Sequence, residues 1–178
     1  MSPDHTPQWD IPSPVGRPGA IDSMGTIAAP FLAGIGIALA VLVISNESDF
    51  PWVAPALLAL VLATAAFIAC LEFAFLARDH AVTPGELQEW APGDEPQRAQ
   101  WMEAEQRLAI SRFRTRAALA RWSYNVGIVA FSVGVACVLV PKGGLHHATD
   151  ARLAVFALAL AAGVAEVIAV AVTAKRGI

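Results

Sequence analysis

Five residues able to do chemistry lie where the surrounding sequence is almost wholly apolar: Glu72, Arg121, Tyr124, Asn125 and Glu166. An ionised side chain in hydrocarbon is costly unless it is neutralised or paired, so each acid marks a candidate functional position. Arg121, Tyr124 and Asn125 follow one another at spacings of three and four, which places them on one face of a helix. If the carboxylates titrate, the five make a proton or cation relay. If Arg121 neutralises them, they make an ion-pair and hydrogen-bond cluster that fixes the register of neighbouring helices. The second reading is preferred, because a paired carboxylate stays charged rather than passing protons on.

The remaining reactive types make weaker patterns. Cys70 and Cys137 fall in different apolar blocks with no CxxC spacing, and are expected to be free, buried thiols. His146, His147 and Asp150 share a turn with Lys142 and, through chain reversal, could approach Glu47 or Asp49, but their spacing matches no strong ligand motif. We expect no metal and no cofactor. The chain also lacks a phosphate-binding glycine loop, a nucleophile elbow and a metalloprotease signature, so it reads as a non-enzyme.

What must position these residues is set by composition. The 178 residues are 56% hydrophobic and only 15% charged, outside the usual balance of a water-soluble domain. The apolar residues fall in four blocks, about residues 24–45, 52–77, 117–140 and 153–174, each long enough for roughly 30 Å of hydrocarbon. The expected fold is therefore all-α: a polytopic membrane protein of four transmembrane helices packed as a four-helix bundle. The first block follows a polar stretch of 23 residues and is too long for a secretory h-region, so it is read as a span and not as a cleavable signal. Pro30, Pro51 and Pro55 are each expected near a helix start, where a missing amide donor costs least.

Orientation follows from the basic residues. Ten of the twelve, including Arg17, Arg78, Arg121, Lys175 and Arg176, fall on one side of the four blocks, and only Lys142 and Arg152 on the other. The positive-inside bias then puts both termini and the segment between the second and third blocks in the cytoplasm. An even number of spans agrees. The abundance of Ala, Gly, Pro and Arg suits a high-GC bacterial genome, which makes the bacterial inner membrane the expected location.

Residues 1–23 carry five prolines and no apolar period, and are expected to be a disordered cytoplasmic tail preceding a membrane domain over 24–178. The cytoplasmic segment 78–116 opens with Thr83-Pro84-Gly85-Glu86, an N-cap, a proline in the first turn and a carboxylate at N3. A short helix should start there and break near Pro92-Gly93, with Asp94 as a second N-cap. From Gln97 no proline intervenes before Pro141, so the third membrane helix should extend into the cytoplasm as one rod. Arg107, Arg112, Arg114 and Arg116 approach the membrane along it and are candidates for contact with anionic lipids, although the same residues satisfy the ordinary positive-inside signal.

Trp90, Trp101, Met102, Leu108, Ile110 and Phe113 make this segment apolar enough to lie on a membrane or a partner. Small residues at Ala157, Ala161, Ala165 and Ala169, at Ala130 and Gly134, and at Gly34 and Gly36 would let helices approach closely. The partners implied are the lipid bilayer, its anionic lipids, and a second copy or another membrane protein. Nucleic acid is excluded by arginines that adjoin the bilayer and by the lack of a recognised binding motif. The leading function is a small membrane subunit that anchors, assembles with or regulates a partner through its cytoplasmic helix. The alternative is a transporter or ion pathway using Glu72 and Glu166.

The topology can be tested by labelling. Cysteines introduced at Ser48 and Gly144 should react with an impermeant reagent from outside intact cells, and one at Gln100 should not. Labelling at Gln100 alone would invert the arrangement.

Overall fold

A computed structural model describes residues 17–91, 95–140 and 150–175. The elements in chain order are α1 (Arg17–Ser23), a π-helical turn (Met24–Ala28), α2 (Ala29–Ser45), a 3-10 turn (Glu47–Asp49), α3 (Val53–Arg78), α4 (Pro84–Trp90), α5 (Glu95–Leu139) and α6 (Asp150–Lys175). The described chain is helical with short turns, as its periodic apolar blocks require. Three helical stretches are long and apolar enough to cross a membrane: Pro18–Ser45, Val53–Arg78 and Gln97–Leu139. In α6 the apolar stretch is Leu153–Glu166.

The first helix begins earlier than the polar composition suggests. Arg17–Ser23 is helical rather than part of a disordered tail, and it runs through the π turn into α2. Pro18 suits the first turn, where its missing donor has no partner to lose. Ile21 is buried and joins the core cluster that contains Ala74, Ala77 and Phe113. A single apolar residue among polar ones has no period to read, which is why the sequence concealed this turn.

Pro30 is consequently not at a helix start; it lies well inside a continuous helical run. A proline there removes an amide and crowds the carbonyl four residues back. The π turn just before it supplies the accommodation: the Ala29 amide donates to the Met24 carbonyl, five residues back instead of four. The Thr26 hydroxyl donates to the Asp22 carbonyl at 2.7 Å within the same turn. Single π turns of this kind are uncommon and often accompany functional positions.

α3 and α5 form the centre of the molecule and run antiparallel, because Leu60 meets Gly134 while Phe67 meets Gly127. A Cβ at position 127 would stand 2.6 Å from the Phe67 ring, and one at 134 would stand 2.9 Å from Leu60 Cδ2. Phe67 and Leu60 are both wholly buried, so neither can withdraw. Tyr124 and Phe131 flank the Phe67 ring at centroid distances of 5.9 and 6.5 Å. Cys70 and Cys137 are buried and free.

Among the described residues the extensive helix contacts are serial and do not show a closed four-helix bundle. α2 packs on α3, α3 on α5 and α5 on α6, so the order in space is a row with α2 and α6 at its ends. Of the expected small-residue contacts, Gly134 is buried against Leu60 and Gly36 against Thr64, whereas Gly34 has open space beside it. Ala157, Ala161 and Ala165 are exposed; the close approach of α6 to α5 is made instead by Gly163 against Ser132. The row leaves much apolar surface outside, including Phe31 at 68%, Leu58 at 63% and Leu158 at 69% exposure. Such a surface suits lipid and not water.

α5 is a single helix of 45 residues, about 67 Å long at 1.5 Å per residue. It contains the expected rod without interruption. α4 has the expected capping box, with Thr83 and Glu86 bonded reciprocally. Leu87 and Ala91 of this segment pack on Met102, with Trp101 beside them. The expected break at Pro92-Gly93 and the Asp94 cap lie outside the described residues, as do residues 141–149 with Lys142, His146 and His147.

Because the Phe67 ring cannot move away, Gly127→Ala should destabilise the protein by about 1–3 kcal/mol through overpacking. Thermal unfolding in detergent would show it as a lowered midpoint. Phe67→Leu in the same molecule should recover part of the loss.

Candidate intramembrane polar site

Asn125 and Glu166 are brought together by the α5–α6 contact. With its amide nitrogen turned toward α6, the orientation assigned from surrounding donors and acceptors, Asn125 donates to Glu166 Oε1 at 2.9 Å and to the Arg121 carbonyl at 3.1 Å. The bond ties the end helix to the central pair by a neutral donor and a carboxylate. Bonds of this type in apolar surroundings join helices with modest strength, about 0.6–2 kcal/mol each. Asn125, Glu166 and Tyr124 are all half-buried.

Tyr124 occupies the junction between this contact and the core. Its ring packs on Phe67, and it lies near both Cys70 and Glu166. Arg121, one turn before Asn125, is half-buried and is engaged in an interaction of its own.

Glu72 stands apart from this group. It is exposed, and it lies five residues beyond the buried Phe67, about 140° around the α3 axis. Its side of the helix carries Leu58, Val61 and Ile68, all more than half exposed. Among the described residues α3 and α6 have no extensive contact, and the exposed Glu72 lies apart from the α5–α6 contact that holds Glu166. Residue types and depth suggested one cluster of five; helix order in the row separates Glu72 from Glu166.

The arginines of α5 divide in the same way. Arg107, Arg112 and Arg114 are exposed and Arg116 is half-buried. Their spacing sets Arg107 and Arg114 on one flank and Arg112 and Arg116 on the other, with the buried line of Met102, Ala109, Phe113 and Ala117 between them. They therefore make two flanking strips and not one patch. Arg107 also reaches Glu103 at 4.0 Å across one turn, an exposed pair worth little energetically.

A second polar group, unforeseen in the sequence, lies where α1 meets the end of α3. Arg78 Nη1 is 3.2 Å from Asp22 Oδ1, and the two side chains remain 68% and 46% exposed. Spacing along the chain gave no clue, since the partners are 56 positions apart. Glu86 stands nearby on α4, its Oε2 accepting from the Thr83 amide at 2.7 Å and the Thr83 hydroxyl at 2.8 Å. The amide bond, then the hydroxyl bond, hold the Glu86 carboxyl below its ordinary value. That contribution to the α4 cap is present above the unfolded carboxyl range and is lost as pH falls through the lowered value. Among the described residues no three His, Cys, Asp or Glu side chains gather as a metal set.

No family model, no curated protein and no solved structure matches the chain. What these residues do must therefore follow from their geometry.

A double-mutant cycle tests the α5–α6 bond. Asn125→Ala and Glu166→Ala should each destabilise the protein, and the double variant should lose less than their sum by about 1 kcal/mol. Strict additivity in detergent unfolding would mean that the two side chains do not interact.

Proposed function

We propose that the chain is a non-enzymatic membrane subunit with four spans and both termini cytoplasmic, which anchors, assembles with or regulates a partner through α4 and the first half of α5. The observation that carries this is the length of α5. Its 45 residues are about twice what roughly 30 Å of hydrocarbon can hold, so a rigid part of the same helix must project beyond the apolar layer. A membrane helix that continues as a rod transmits position without a flexible joint.

The projecting part offers surfaces for contact. Trp90 is 77% exposed at the end of α4, Leu108 is 44% exposed on α5, and the arginine strips lie nearer the membrane. Trp and Arg are the side chains that most often anchor protein contacts. In this reading α6 is the fourth span, and Asn125 with Glu166 holds it against the central pair. Bacterial inner-membrane residence and contacts of the arginines with anionic lipids belong to the same proposal.

Transport by Glu72 and Glu166 is supported by their residue type and depth. It is weakened by their placement on α3 and α6, which would have to act as separate sites.

The test separates the two readings. Protein extracted from native membranes should bring down a defined partner, and Trp90→Ser with Leu108→Ser should remove that partner while leaving the protein folded. Purified protein in liposomes should carry no pH-dependent ion flux. Flux abolished by Glu72→Gln or Glu166→Gln would replace the subunit reading with the transporter.

A further inference from the structure

Two clefts meet at the Asp22–Arg78 pair. The first, about 380 Å³, is lined by Pro18, Asp22, Arg78, Glu86 and Phe113 among others. The second, about 270 Å³, runs between the π turn and α3, past Gly25, Thr26, Pro30, Leu71 and Phe75. Asp22, Ala74 and Arg78 line both, so the two clefts adjoin at the ion pair. The first lies within the size range of small-ligand sites.

The adjoining clefts differ in chemistry. Asp22 lies near the start of the apolar stretch Pro18–Ser45, and Arg78 ends Val53–Arg78, which puts the pair at one end of both apolar helices. On one side the cleft carries a guanidinium and two carboxylates. On the other it is bordered mainly by apolar side chains of the membrane-facing surface, Phe75 being 65% exposed. The π turn that accommodates Pro30 also forms one wall, so that side of the groove is built from the helix itself.

The charged groups retain capacity. Arg78 meets Asp22 through one nitrogen and one oxygen, leaving the remaining guanidinium donors and Asp22 Oδ2 outside that pair. On Glu86 both Thr83 bonds fall on Oε2, and Oε1 is outside them. A guanidinium binds a phosphate as a planar fork, and carboxylates accept from a primary ammonium.

We propose that these adjoining clefts bind a phospholipid with a primary-amine headgroup: its phosphate on Arg78, its ammonium between Asp22 and Glu86, and one acyl chain in the groove beside Gly25, Leu71 and Phe75. The alternation of charges selects the headgroup. A purely anionic headgroup would meet the two carboxylates without a cation to offset them. A choline headgroup is cationic but has no N–H to donate. The apolar groove selects a lipid over a free headgroup. The site shares α4 with the proposed partner surface but uses neither Trp90 nor Leu108.

The test uses the full chain in detergent, exchanged against phosphatidylethanolamine, phosphatidylcholine or phosphatidylglycerol, with retained lipid read by native mass spectrometry. Phosphatidylethanolamine should be retained about tenfold over the other two, the scale of one or two charge-assisted hydrogen bonds. Glu86→Gln and Asp22→Asn should remove the preference over phosphatidylglycerol, and Arg78→Gln should weaken retention of all three. Glu47→Gln, exposed at the far end of α2 from the clefts, should change nothing. Should Asp22→Asn or Arg78→Gln fail to fold, a phosphatidylethanolamine carrying a photoreactive acyl chain should still label the native chain between Leu71 and Phe75. Equal retention of the three lipids, labelling elsewhere, or equal displacement by free phosphoethanolamine would overturn the proposal.

Discussion

The contact between α3 and α5 is the constraint on which the rest of the structure depends. Lipid offers no hydrophobic force to drive two apolar helices together, so their association rests on close packing. Gly127 and Gly134 are two turns apart on α5 and receive Phe67 and Leu60, themselves two turns apart on α3. Each large side chain fills the space where a Cβ would be, and both are wholly buried. These two contacts fix the register of the antiparallel pair, and Tyr124 and Phe131 close around the Phe67 ring.

Everything else is attached to one or the other member of that pair. α2 reaches α3 through Gly36 against Thr64, and α6 reaches α5 through Gly163 against Ser132. Among the described residues α2 packs mainly on α3 and α6 on α5, so the helices lie in a row, and residues that a closed bundle would gather stay apart. Glu166 finds Asn125 because their helices are neighbours; Glu72 faces outward from α3, on a side where no other helix packs among the described residues. An acid on such a face keeps open the choice between headgroup contact and a helix of another molecule. The subunit proposal accommodates either, since an open row has surface to offer.

The end of the row that carries Asp22 and Arg78 has a different organisation. Proline inside a helix ordinarily leaves backbone groups to be satisfied by other means. Here the chain answers with one π turn and a Thr26 hydroxyl bonded to the Asp22 carbonyl, so the helix continues through the apolar boundary. The same distortion makes the wall of a groove. The lipid site proposed there follows from the way the helix absorbs Pro30.

The sequence by itself determined the local elements, because these depend on neighbours along the chain. Apolar runs of membrane-spanning length specified the long helices, Thr83-Pro84-Gly85-Glu86 specified α4, and the proline-free stretch from Gln97 specified a continuous α5. It also placed Asn125 and Glu166 among the candidates for one polar site. Only the tertiary structure decided which candidates meet. Uniformly apolar helices have no polar face, so periodicity could not say which side of α3 turns toward α5, and Glu72 read the same whether buried or exposed. Ile21 and the Asp22–Arg78 pair were hidden for a related reason. Their partners lie on another helix, and contacts across that distance leave no mark on spacing along the chain.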